Sequence, residues 1–237
     1  MNNTIEWLLV WGHWTGSGGV LQRLVEHIWL TALSVSIACL VALPLALWLG
    51  HIGRGGALAI NISNVGRAVP TFAALVLLAF TQLGFGATST IVALVLFAIP
   101  PLLTNAYVGM REVDRQLVEA ARGMGMTELQ VLRKVELPLA MPLIMAGLRL
   151  CTVQVVATAT IAALVAGPGL GRIITAGYGR QDQSEVVSGA VVVAALALLV
   201  EIGFAVLQRR IDPVARARAR TTRGPARKEL QIATDQG

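Results

Sequence analysis

The chain has 237 residues, of which 55% are hydrophobic and only 14% charged, with a mean hydropathy of +0.70. A soluble domain is about a quarter charged, so this composition indicates a membrane protein, and an aromatic content of 5% argues against a barrel with aromatic girdles. The net charge of +6 reflects basic residues gathered on one side of the spans, a pattern that positive-inside topology explains without nucleic-acid binding.

Residues 1–27 carry Trp7, Trp11 and Trp14 at spacings of four and three, with Leu8, Val10 and Leu21 nearby. This pattern predicts an amphipathic helix on the outer interface. The segment lacks a charged n-region followed by an apolar h-region and a small-residue cleavage site, so the first span is expected to serve as the insertion signal.

Residues 28–208 read as a polytopic transmembrane domain of about five helices, an all-α fold. The expected spans are Ile28 to Leu49, Ala57 to Phe80, Ile91 to Met110, Leu139 to Val165 and Val186 to Leu207, each near the ~20 residues that cross ~30 Å of hydrocarbon. Trp29 and Trp48 bracket the first span, about 28 Å apart at ~1.5 Å per residue. Pro44, Pro70, Pro100 and Pro101 are expected to interrupt three of these helices. Cys39 and Cys151 lie in apolar runs, where they read as small buried hydrophobes.

Polar groups within or near the spans are few: Arg67, Asn105, Arg149, Gln154 and Glu201. Arg149 and Glu201 fall at comparable depth, which suggests an ion pair. Thr158 and Thr160 suit helix packing, and Thr158 could also contribute to a path for a solute. Phe72, Phe97, Asn105, Tyr107, Gln154 and Thr158 are the candidates for such a path.

Fourteen of the nineteen Lys and Arg residues fall on one side if the C-terminus is cytoplasmic, with only Arg23, Arg172 and Arg180 on the other. That bias predicts the N-terminus outside and the C-terminus inside. Residues 209–237 form a basic tail, poor in apolar residues, expected to be disordered near anionic lipid.

The polar stretch 111–138 is then cytoplasmic. Asp114 can N-cap a helix from about Arg115 to Met124, Gly125 suits a left-handed C′ position, and Thr127 with Gln130 forms a capping box for a second helix expected to stop near Pro138. Small Ala120 and Ala121 are expected to let a partner surface approach.

The order Glu119-Ala120-Ala121, Gly125, then Val135 and Leu137-Pro138 resembles the signature of inner-membrane permease subunits of bacterial ABC importers. The run RGMGMTELQVLRKVELPLAMPLIMAGLRL followed by TVQVVATATIAALVAGPGLG is similar to the osmoprotectant branch, whose members handle glycine betaine, carnitine, choline and related solutes. The likeness extends from about Trp29 to Gln208. Val135 stands where Ile is usual, Arg115 where the branch often has Pro, and Pro168 where Gly is commoner. The resemblance implies a type I importer permease fold in the bacterial cytoplasmic membrane. It implies a separate ATPase subunit docked on the loop, a second permease subunit and an external substrate-binding protein. ATP would be bound by the ATPase partner, with no cofactor in this chain.

The residues agree with a division of labour. Lys134 and Lys228 are the only lysines, and neither follows a Gly-rich loop and precedes Ser or Thr, so no phosphate-binding P-loop is present. The GPGLG run beginning at Gly167 reads as a turn. No catalytic constellation converges, and the spans offer essentially Glu201 alone for ion coupling. The alternatives are a methionine-type or phosphonate-type permease, which shares the five-span core, and a stand-alone carrier or channel.

Overall fold

A computed structural model describes residues 2–211, so most of the basic tail 209–237 lies outside the described residues, as does the side chain of Arg67. The helices are α1 (Asn2–Leu9), α2 (Val20–Ile52), α3 (Gly56–Ala68), α4 (Thr71–Ala79), α5 (Ala87–Arg111), α6 (Arg115–Gly123), α7 (Glu128–Val131), α8 (Leu137–Ile161), α9 (Gly171–Arg180) and α10 (Gln183–Ile211). No strand occurs among the described residues. Four helical stretches are long and apolar enough to cross a membrane: Val20–Ile52, Ala87–Arg111, Glu128–Val165 and Gln183–Arg210.

The core is a three-helix seam of α2, α5 and α8. Ala38, Ala42 and Ala46 recur every four residues on α2 and are fully buried, alongside Leu94, Leu102 and Ala106 of α5 and Cys151 and Val155 of α8. Without a hydrophobic drive between helices in lipid, close backbone approach supplies the packing. A Cβ placed on Gly147 of α8 would lie 2.6 Å from Cβ of Asn105 on α5, and one on Gly50 of α2 would collide with Met110. Cys151 is buried as expected, whereas Cys39 is only partly so.

Helix α2 has 33 residues, about 50 Å at ~1.5 Å per residue, well beyond the hydrocarbon thickness. It starts at Val20, earlier than the expected Ile28, and is longer than a perpendicular crossing needs. Trp29 and Trp48 are exposed on its surface.

The expected tryptophan face does not form. Helix α1 ends at Leu9, Val10 is extended, and Trp11–His13 make one 3-10 turn; Gly16 and Gly18 follow with positive φ. The extended Val10 separates Trp7 from Trp11 and Trp14, and the two glycines keep the chain from resuming a helix before α2. Trp7 stacks on His13 at 4.3 Å, Trp14 donates from Nε1 to Leu8 O at 2.8 Å, and both pack against Val20, Leu170 and Ile173. Trp11 is left exposed.

Of the four prolines expected to interrupt helices, Pro70 alone does so. Val69 and Pro70 are both extended (ψ 122°), dividing the expected second span into α3 and α4. A residue before proline is pushed out of the helical region, and here the chain follows. Pro44 lies inside an unbroken α2, and Pro100 with Pro101 inside an unbroken α5. Both helices belong to the packed seam, whose neighbours hold them in register.

The helix beginning at Glu128 does not stop near Pro138; it continues through a π turn at Leu132–Glu136 directly into α8. Leu137 N–H donates to Leu132 O, five residues back. The wider turn relieves the clash that a proline ring makes with the carbonyl four residues before it.

Helix α10 packs along α8 and α9. Arg149 of α8 pairs with Glu201 of α10, as their depth suggested, and Gln208 Nε2 donates to Pro142 O at 3.3 Å. Near the start of α2, GPGLG is a turn: Gly169 (φ 110°) donates its N–H to Glu26 at 3.1 Å, and Leu170 N–H donates to Nδ1 of buried His27 at 3.3 Å. His27 Nε2 in turn lies 3.1 Å from Val156 O, tying α2 to α8.

Candidate coupling loop and transport path

The loop between α5 and α8 is built from local signals. Asp114 accepts from Gln116 N–H at 2.9 Å and starts α6. Gly125 has φ +82° and ends the first helical unit: Met126 N–H returns to Ala121 O at 3.2 Å and Gly125 N–H to Arg122 O at 2.9 Å, the Schellman pattern. The capping box closes reciprocally, with Gln130 N–H on Thr127 Oγ1 at 3.4 Å and Thr127 N–H on Gln130 Oε1 at 2.9 Å.

The signature residues divide between two faces. Glu119, Ala120 and Gly125 are exposed, whereas Ala121 is only 2% exposed, and Val135 and Leu137 pack against the core. Pro138 is partly buried at the start of α8. Ala121 is therefore small because α6 lies against its own chain through Val118 and Ala121, and only Ala120 is free to meet a partner. The outward face also carries large apolar groups that the sequence pattern did not single out: Leu117, Leu129 and, at 78% exposed, Met124. On a short unit away from the spans, such groups mark an interaction surface.

Behind this face lies a polar cluster joining distant segments. His51, in the last turn of α2, hydrogen-bonds through Nδ1 to Glu136, which is 1% exposed in the π turn. His51 Nε2 lies 3.2 Å from Glu128 Oε2, and Arg122 Nη2 donates to the same oxygen at 2.8 Å. The Arg122 hydrogen bond holds the Glu128 carboxyl below its ordinary range and raises the Arg122 guanidinium. His51 and Glu136 are 85 residues apart, beyond the reach of local sequence reading.

The six path candidates do not come together. Phe97 lines a cavity of about 470 Å³ beside the Val69 and Pro70 break, with Gly66, Leu96 and Pro100. Asn105 donates from Nδ2 to Pro101 O at 2.7 Å, close to Gly147 on α8. The Tyr107 hydroxyl sits against Gly56 at the start of α3. Phe72 is exposed on α4; on α8, Gln154 is half-buried and Thr158 buried. A larger groove of about 1140 Å³, lined almost wholly by apolar residues of α2, α8 and α10, includes none of the six and has Phe204 as its aromatic member.

Residues 42–216 match the family described as the inner membrane component of binding-protein-dependent transport systems. The chain belongs to that family. It is 37% identical over 201 residues to the choline transport system permease protein OpuBB of Bacillus subtilis (strain 168), covering 84% of this chain and 91% of the relative. To the glycine betaine/carnitine/choline transport system permease protein OpuCB of the same organism it is 35% identical, with the same coverage. Among solved structures, an inward-facing form of the MetNI methionine ABC transporter is similar at a TM-score of 0.70 and 23% identity, covering 81% of this chain and 95% of that one.

This family member is thus an inner-membrane transport subunit with an all-helical ABC importer permease fold. The matched region contains the whole loop 111–138, α5, α8 and the last third of α2.

Proposed function

We propose that this permease subunit moves a compact quaternary ammonium osmoprotectant, such as choline, glycine betaine, carnitine or proline betaine, inward across the cytoplasmic membrane. An external binding protein delivers the solute, and a separate ATPase subunit docked on the loop 111–138 supplies the energy. The observation that carries this reading is the loop itself, a doubly capped unit presenting Leu117, Ala120, Met124 and Leu129 outward. Gly125, Val135, Leu137 and Pro138 hold its shape and exit angle, and Glu119 stands exposed beside Ala120. The names of relatives more than 30% identical over most of the chain favour osmoprotectants; the methionine transporter, at 23% identity, supports the fold alone.

A second permease subunit, identical or paralogous, completes the path. The Arg and Lys distribution favours the N-terminus outside, the loop and basic tail in the cytoplasm, and the N-terminal segment on the outer interface. Selection of a diffuse cation usually calls on aromatic faces, and Phe72 is exposed on α4 while Phe97 and Tyr107 are buried at separate places along α5. Specificity therefore rests chiefly with the binding protein.

The test is a cross-link. Cysteine placed at Met124, in a background lacking Cys39 and Cys151, should form a mixed product with single-cysteine variants across the groove of the ATPase subunit, whereas cysteine at buried Val118 should not. An ATPase that co-purifies yet never cross-links to position 124 would overturn the assignment of this face.

A further inference from the structure

The loop has to do more than hold a partner; its displacement has to reach the spans. Two covalent routes lead away from it, through Val113 into α5 and through the π turn into α8. The π turn is a poor lever, because a widened turn breaks the regular ladder. A third, non-covalent route is built beside it. Both ring nitrogens of His51 face carboxylates carried by different elements, Glu136 in the π turn and Glu128 in α7. Glu128 is gripped in turn by Arg122 of α6.

The chemistry makes this contact directional. Glu136 is buried, and a buried carboxylate has to be paired; among the described residues its ion-pair partner is His51. A carboxylate at each ring nitrogen is an arrangement that an imidazolium satisfies with two charge-assisted hydrogen bonds. His51 also sits at the negative end of α2, where a cation is favoured. We infer that His51 is a positioning residue: it clamps the cytoplasmic end of α2 to α7 and to the root of α8, so that movement of the loop carries the first span with it. The groove shared by α2, α8 and α10 lies along the same helix, from Ile28 to Leu47. This role rests on the reading of the loop as the ATPase-docking element.

The experiment uses the full transporter with its ATPase and binding protein in sealed vesicles, comparing wild type with H51A, E136Q and H51K. Three quantities are read: ATPase retained on purification, ATP hydrolysed, and labelled glycine betaine or choline accumulated per ATP. H51A and E136Q should keep the ATPase and hydrolyse ATP within about a factor of two of wild type, yet lose solute moved per ATP by about tenfold, a typical coupling between sites. H51K, which restores a cation with several donors, should recover at least half of the lost ratio. An unchanged ratio in H51A overturns the inference, as does H51K behaving like H51A. Loss of the ATPase from H51A also overturns it, because His51 would then merely build the docking face. Failure of the wild-type chain to retain any ATPase would instead remove the underlying reading of the loop.

Discussion

At the scale of single residues the loop is the most demanding part of the chain, and Gly125 shows why. Its φ of +82° lies in the left-handed region, and a Cβ added there would meet nothing within 4 Å. The requirement is therefore conformational rather than steric. G125V should insert and fold its spans but lose transport, because the turn between α6 and α7 is misplaced; G125N, which tolerates the left-handed region, should retain much of it. Uptake alongside ATPase co-purification checks this, and wild-type transport by G125V would show the turn to be dispensable. Such positions were legible because capping is local: Asp114, Thr127, Gln130 and Gly125 act on residues within a few places of themselves. Ala121 was not, because a small residue serves close packing against its own core as well as against a partner, and only the fold decides which. His51 and Glu136 carry no local signal of pairing.

At the scale of helices the outcome turns on what each proline has around it. Pro44, Pro100 and Pro101 sit in α2 and α5, whose Ala-rich faces interlock, and the helices pass through them unbroken. Pro70 follows Val69 just past the end of α3, where both residues are exposed, and there the local preference prevails. The same competition explains why the helix from Glu128 runs on past Pro138: a π turn accommodates the ring and α8 continues. Sequence shows where proline strains a helix but not which helices have neighbours able to absorb the strain. The close crossing of α5 and α8 gives a direct check. With Gly147 facing Asn105 at 2.6 Å for an added Cβ, G147V has to push the helices apart. Overpacking of this kind costs about 1–3 kcal/mol. The purified variant should show a lower Tm than wild type, whereas valine at exposed Gly203 on α10 should leave it unchanged. Equal melting of G147V and wild type would mean that the crossing is looser than described.

At the scale of the whole molecule, the two ends of the bundle differ in kind. One end gathers Trp7, Ser17, Arg23, Arg172 and Glu185 around a cavity of about 370 Å³; the other carries the capped loop and the end of α2. With the first end outside, single cysteines at Ser17 and Gln183, both exposed, should react with an impermeant thiol reagent in sealed right-side-out vesicles, and cysteine at exposed Thr127 should not. Labelling of Thr127 alone would invert the orientation and separate the loop from cytoplasmic ATP. The central claim is that solute moves only when an ATPase acts through this loop on cargo handed over from outside. It is tested most directly by reconstituting the permease with its ATPase in vesicles and following labelled choline and glycine betaine, with and without enclosed ATP and added binding protein. Accumulation should require ATP, the ATPase and the binding protein together, and should persist when ion gradients are collapsed. Accumulation driven by an ion gradient with the ATPase omitted would contradict the account.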